Sequence, residues 1–385
     1  MKRALKLIVT VATVFSVSYV HAQSNPSTDP INVTTTAVPF LRISPEARAG
    51  GMGETGIATA PEANANFWNL AKTPFNQSKT GIALNYTPWL KKLGLNDVYL
   101  ATVGGYHKLD DNQALTFSMR YFNLGNIQFV NENQQPLQEY RPREFSFDAG
   151  YSRKLSEKIG MGLALRYINS KLASGEVNGT NYKAASTVAA DLSFFYNGLN
   201  AETGEGFTAG ATLTNLGGKV SYTSDANKKD FIPANLGIGG AYTKVFDESN
   251  KMTFALDLNK LLVPSFPLDS AGREDYKTTS SITGWGQSFK DWPGASNVSV
   301  GIEYGYMNQF FVRTGYFYET KQAGDRRYFT VGAGLKYNVF GLNFSYIIPS
   351  GSGVNQNPLS NTLRFGLTFD LDPATNGSEN SSSGE

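Results

Sequence analysis

Cysteine is absent from the chain. That excludes a disulfide scaffold, a thiolate nucleophile and any cysteine-ligated metal, and it leaves a hydrogen-bond ladder to hold an exported β-protein. Histidine is almost as scarce, with His21 and His107 alone. His21 falls in a leader, so His107 stands by itself, with no motif around it for a Ser-His-Asp triad or a phospholipase site. No catalytic residue, cofactor or metal site is therefore expected, and the chain reads as a non-enzyme. No run of about 18 apolar residues follows the leader, which rules out helical membrane spans. Nor does one charge sign dominate: Lys and Arg number 34, Asp and Glu 32. Three basic residues sit in the leader, leaving 31 basic against 32 acidic residues. That is no field for nucleic acid.

The leader is present at residues 1–22. Lys2, Arg3 and Lys6 form a positive region, Leu7 to Val17 an apolar run too short to span a bilayer, and Val20-His21-Ala22 a small-x-small cleavage site. Cleavage after Ala22 would start the mature chain at Gln23, and no cysteine follows to make a lipoprotein.

From Thr80 to Leu371 apolar and polar residues alternate with a period of two, the signature of strands with two different faces. Leu115, Phe117, Met119 and Tyr121 alternate with Ala114, Thr116, Ser118 and Arg120; Ile159, Met161, Leu163, Leu165 and Tyr167 alternate with Gly160, Gly162, Ala164 and Arg166. Similar patterns run through 252–259 and 298–306. Fourteen strands are expected, at 80–89, 97–108, 113–123, 143–155, 158–172, 183–197, 205–215, 232–244, 250–259, 297–306, 309–319, 327–337, 339–347 and 361–370; the second alternates poorly. Their connections alternate between tight polar turns, such as Leu109-Asp110-Asp111-Asn112 and Leu155-Ser156-Glu157-Lys158, and long loops. Asp110 and Asp111 read as turn formers.

Strands this long, in an even number, with alternating short and long connections, predict an all-β protein: a transmembrane antiparallel 14-stranded outer-membrane barrel over 79–371. Mean hydropathy stays negative, at -0.29, because only every second residue meets lipid. The 25 Phe, 20 Tyr and 39 Gly suit aromatic girdles and close-packed walls. Arg120, Asp148, Arg166, Asp191, Asp257, Glu303, Arg313, Lys336 and Arg364 fall on the lumen side, either as cross-barrel ion pairs in a filled lumen or as the lining of a selective polar channel. The tail over 372–385 is Asn-, Ser- and Gly-rich, of a composition that does not fold.

Residues 23–78 do not alternate. They are rich in small residues and suit short helices and turns tucked into the lumen as a plug. Gly51, Gly53 and Gly56 match G-x-G-x-x-G, but no βαβ unit surrounds them; close packing of backbone in a narrow lumen explains them better.

The run Phe40-Leu41-Arg42-Ile43-Ser44-Pro45-Glu46-Ala47-Arg48-Ala49-Gly50-Gly51-Met52-Gly53, with Gly56-Ile57-Ala58 and Phe67-Trp68-Asn69, resembles the amino-terminal signature of the PorV (LptO) family of the type IX secretion system, within the FadL-like barrel superfamily. Arg42, Pro45, Arg48, Gly50, Gly51, Gly53, Gly56, Trp68 and Asn69 carry the resemblance. FadL-like transporters usually show Asn-Pro-Ala where this chain has Asn69-Leu70-Ala71.

The resemblance implies an outer-membrane adaptor rather than an enzyme. It would dock on the translocon barrel of the type IX system. It would also pass secreted substrates with C-terminal signal domains to an attachment complex that contains the sortase-like protease PorU. The alternative is a FadL-type carrier of hydrophobic small molecules, with an apolar cavity beneath the plug. Aromatics and Arg are favoured interface anchors, and two long loops hold them: Phe129, Tyr140 and Arg141 in one, Phe266, Tyr276, Trp285, Phe289 and Trp292 in the other. Packing onto the barrel mouth would account for them equally. The run Leu268 to Asp275 lacks the ligand spacing of an EF-hand and reads as a solvated loop tip.

Overall fold

The computed structural model describes residues 33–90, 94–95, 97–130, 135–173, 175–177, 180–225, 229–348 and 361–373. The expected leader and most of the expected tail lie outside them. Within the described residues, fourteen antiparallel strands pair in chain order and the last returns to the first, closing a barrel. They are β1 (Ser78–Pro88), β2 (Val98–Lys108), β3 (Gln113–Leu124), β4 (Arg143–Lys154), β5 (Ile159–Lys171), β6 (Ala185–Leu199), β7 (Gly206–Gly217), β8 (Asn235–Val245), β9 (Asn250–Leu261), β10 (Ser296–Tyr306), β11 (Phe310–Glu319), β12 (Arg327–Tyr337), β13 (Phe340–Ile348) and β14 (Leu363–Pro373). The seam pairs Thr80 with Leu371 and Tyr86 with Phe365. Lengths run from 9 to 15 residues, enough for a tilted bilayer crossing.

The period of two sorts the side chains as the sequence indicates. On β3, Leu115 and Phe117 are each 48% exposed, while Ala114, Thr116, Ser118 and Arg120 are buried. The same holds on β5, β9 and β10. Apolar groups form the outer band and polar groups the interior, which is the arrangement a lipid solvent selects.

Turns close one rim. Between β10 and β11, Met307 and Asn308 both take positive φ, the two-residue geometry that matches strand twist, and the Gln309 amide donates to the Tyr306 carbonyl at 3.0 Å. Asp110 accepts from the Asn112 amide at 2.7 Å and Asp247 from that of Ser249 at 2.8 Å, so these carboxylates hold turns.

The chain before β1 folds as 3-10 turns at Pro39–Arg42, Ala65–Phe67 and Leu70–Phe75 and one short helix, α1 (Ala47–Gly51). At the opposite rim the long connections carry small hairpins, Ile127–Val130 with Pro136–Tyr140 and Gly175–Val177 with Thr180–Tyr182. The longest carries α2 (Ser270–Thr278) and α3 (Ser281–Gln287). Asp269 caps α2, accepting from the Gly272 amide at 2.7 Å. The Leu268–Asp275 run is therefore a helix start rather than a loop tip.

One further expectation is explained and two are corrected. The poor alternation of β2 has a cause: Val98 and Leu100 face inward onto Phe40 and Leu41, so this part of the lumen wall is apolar. Among the described residues the strand-borne ion pairs buried in the lumen do not run from wall to wall; they join neighbouring strands or tie the wall to the inner segment. Lys336 has lumen-side parity but sits at the short-turn rim, half exposed, paired with Asp370 at 2.6 Å.

Candidate functional site

The segment before β1 fills the lumen. The Thr34 amide donates to Gln322 at 2.8 Å and the Ala37 amide to Phe231 at 2.9 Å, both at the long-loop rim. At the short-turn rim, Lys108 donates to the Asn76 carbonyl at 3.1 Å just before β1 begins. The segment thus threads the barrel from one rim to the other.

Buried charges fix it to the wall. Arg48, on α1, grips Glu303 of β10 with two parallel bonds of 2.9 and 2.8 Å, and Arg313 of β11 donates to the same carboxylate at 2.6 Å. Forked guanidinium–carboxylate bonds are the strong, directional kind. Glu54 accepts from Arg364 at 2.9 Å and from the Tyr328 hydroxyl at 2.7 Å. Arg42 and Arg326 share Glu319, each at 2.6 Å. Asp257 accepts the backbone amides of Gly56 and Ile57 at 2.7 and 2.9 Å.

Internal bonds shape the segment itself. Glu46 caps α1 by accepting from the Arg48 and Ala49 amides, and it also accepts from the Trp68 indole at 3.0 Å. The Lys72 ammonium donates to the Gly56 carbonyl at 2.6 Å. Asn69 caps the Leu70–Phe75 turn and donates to both Ile57 at 3.0 Å and Phe194 at 2.9 Å, so one amide joins two parts of the segment to β6. The Pro45 carbonyl accepts from Thr102 at 3.1 Å.

Close approach explains the glycines. Gly53 has a φ of +66, and a Cβ there would lie 2.6 Å from the Tyr316 nitrogen and the Val300 oxygen. A Cβ on Gly51 would lie 3.0 Å from the Gly332 Cα. Backbone meets backbone here, which only glycine permits. Gly50 lies under Arg364, and Gly56 packs on the Trp68 ring.

Eight of the nine signature positions meet the wall, whereas Trp68 packs within the segment, on Glu46 and Gly56. Sequence reasoning placed Asp257 in the lumen but missed the roles of Glu46, Glu54 and Lys72. Glu46 carried a usable signal as an acidic residue just ahead of Ala47-Arg48-Ala49.

The long-loop aromatics divide. Tyr276 is buried between Phe231 and Phe266, with ring centroids 5.2 and 5.1 Å away. Lys219 donates to the carbonyls of Tyr276 and Lys277 at 2.8 and 3.0 Å and so caps the end of α2. These rings pack the loop onto the rim. Trp285 is half-buried. Phe289 and Trp292 are exposed just after α3, as is Ile282 on α3 itself, which is 74% exposed. In the other loop Tyr140 is half-buried and Arg141 exposed; Phe129 lies in the Ile127–Val130 strand, its side chain outside those described.

Between the segment and the long-loop half of the wall lies a cavity of about 130 Å³. Arg42, Arg120, Arg166 and Arg326 line it with Asp191 and Glu54. The lining mixes these charges with apolar groups such as Leu41, Ile43, Phe67 and Phe317.

A family model described as type IX secretion system protein PorV matches residues 26–269. No curated protein matches the chain. Among solved structures, the Ralstonia pickettii toluene transporter TbuX aligns with a TM-score of 0.51 at 10% identity, over 84% of this chain and 97% of its own. The P. putida toluene transporter TodX aligns with a TM-score of 0.50 at 12% identity, over 85% and 98%. At such identities the likeness is one of fold.

Proposed function

The chain belongs to the PorV family of the type IX secretion system, and from that premise we propose that this outer-membrane barrel is a protein-secretion adaptor. It docks on the translocon barrel and passes substrates bearing a C-terminal signal domain to the surface attachment complex, PorU included. Export through a cleaved leader at residues 1–22 belongs to the same reading. The observation that carries it is the division of labour between lumen and rim. The lumen is occupied by a bonded segment, which suits a sealed scaffold. The 262–295 lobe presents Ile282, Phe289 and Trp292 to solvent, apolar anchors of the kind interfaces use.

Co-purification from mild detergent tests the proposal. A very large barrel partner, or a secreted protein with a C-terminal β-domain, should accompany the wild-type chain. Recovery of neither defeats it. The alternative, a carrier of hydrophobic small molecules, draws support from the architecture shared with toluene transporters. Against it stands the charged lining of the lumen cavity. Native mass spectrometry separates the two, since a carrier should retain a hydrocarbon or fatty acid.

A further inference from the structure

The charges around the lumen cavity answer one another. Arg42 and Arg326 share Glu319, and Arg364 matches Glu54. Asp148 and Asp191 face Arg166 and act on Arg120 as well. Asp257 is turned to the amides of Gly56 and Ile57. Such a lining calls for no further ion, and the groups it leaves open are neutral.

Those open groups lie together on three adjacent strands. Asn235 of β8, Asn259 of β9, and Asn297 and Ser299 of β10 all line the cavity. The Asn235 amide nitrogen donates to the Asn259 amide oxygen at 2.9 Å. Asn259 stands directly across from Asn297 in the ladder, which sets their Cβ atoms about 5 Å apart. Ser299 follows Asn297 on the same face, about 7 Å along the strand. Among the described residues the Asn297 amide oxygen and the Ser299 hydroxyl have no hydrogen-bond partner, and Ser299 is 1% exposed. A buried polar group left in that state is costly. Apolar side chains frame the patch: Leu261 lies across from Asn235, and Phe317 across from Ser299. The inner segment passes the same wall, since Arg42 bonds Glu319, the residue across from Asn297 on β11.

From this geometry we propose that the patch binds a short neutral polyol, its hydroxyls on Asn259, Asn297 and Ser299 and its carbon chain against Leu261 and Phe317. A hydroxyl both donates and accepts, so neighbouring hydroxyls satisfy an amide and a serine together. A carboxylate only accepts, and it would add an anion to a cavity already lined by Glu54 and Asp191. The volume of about 130 Å³ has room for roughly ten water-sized groups, which suits glycerol or erythritol and not a long acyl chain. Asn235, Leu261 and Asn297 sit at the long-loop ends of their strands, the rim that faces outward in barrels of this kind, so the ligand enters from outside the cell. The inference does not depend on the secretion role.

Calorimetric titration of the full-length protein, in a detergent without a sugar headgroup and in glycerol-free buffer, provides the test. Probes are glycerol, erythritol, 1-propanol and acetate. Glycerol and erythritol should bind saturably, erythritol the tighter, with 1-propanol and acetate silent. Asn297→Ala should weaken erythritol at least tenfold and Ser299→Ala several-fold, while Lys277→Gln on the surface leaves it unchanged. Silence with both polyols would mean that the patch holds water alone, and it overturns the assignment. So does an equal response to 1-propanol or acetate. Should Asn297→Ala fail to fold, Ser299→Ala decides, and unaltered affinity in that variant also overturns it.

Discussion

Inside the lumen, Glu303 holds two guanidiniums and Asp257 two backbone amides, whereas on the 262–295 lobe Ile282 and Trp292 stand 74% and 61% exposed. Charged residues in a barrel interior suggest a conduit, but here the segment before β1 and the neighbouring strands account for nearly all of them. Apolar groups on a solvent-facing rim suggest unfinished business, and no described residue covers them. The lumen is thus organised for retention, while the lobe leaves apolar surface open to solvent. Predictions that perturb one region and leave the other intact can break this contrast.

The largest effect is expected at Glu303. Removing it by Glu303→Ala leaves Arg48 and Arg313 buried without their shared carboxylate, a loss of about 3–5 kcal/mol for a broken buried pair. The segment should unseat. Planar-bilayer recordings are expected to show little ion conductance for the wild type and a marked rise for the variant. A variant as closed as the parent would mean that the charge contacts do not hold the plug.

Next comes the outer wall. Leu165 lies near the middle of β5 and is 60% exposed. Leu165→Arg should cost about 2–4 kcal/mol, the penalty of a cation at the bilayer midplane, read as a lower denaturant midpoint in lipid vesicles. Ile282→Arg, on the lobe, should leave that midpoint unmoved. Equal sensitivity at both sites would undo the assignment of wall to lipid and lobe to water.

Gly53 tests the interior at a finer scale. Gly53→Ala adds a Cβ at positive φ against the β10 and β11 backbone, and about 1–3 kcal/mol of strain is expected. Faster proteolysis of the 33–77 segment should report it. Unchanged cleavage would show that the wall yields at this point.

The wall was legible in the sequence and the plug only in outline, for a physical reason. Strand faces repeat every two residues, so Leu115, Phe117 and Met119 announce their side locally, and turns such as Leu109 to Asn112 mark the ends. The plug has no period. Its stability comes from contacts 255 residues apart, as for Arg48 and Glu303, or 310 apart, as for Glu54 and Arg364, and no local pattern encodes those partners. Even the weak alternation of β2 is a plug effect, since Val98 and Leu100 turn inward to meet Phe40 and Leu41. The glycines at 51 and 53 were readable as close-approach positions, but not the strands they approach. In the lobe, Asp269 and Ser280 both cap helices. Those cap signals were available, and reading the acidic run as a loop tip passed them over.

The smallest effect on stability, and the most informative for function, belongs to the lobe. Paired changes Ile282→Asp and Trp292→Asp alter side chains that are mostly exposed, so stability should shift by no more than about 0.5 kcal/mol. If the rim is the docking face, binding should nonetheless fall by about 2 kcal/mol or more, the loss typical of a central anchor. Co-purification of the large barrel partner should then disappear while Tyr276→Ala, which unpacks the lobe from the rim, reduces stability as well. A double variant that folds normally and still brings down its partner would relocate the docking face to another loop, and the hairpin that carries Tyr140 and Arg141 would become the next surface to probe.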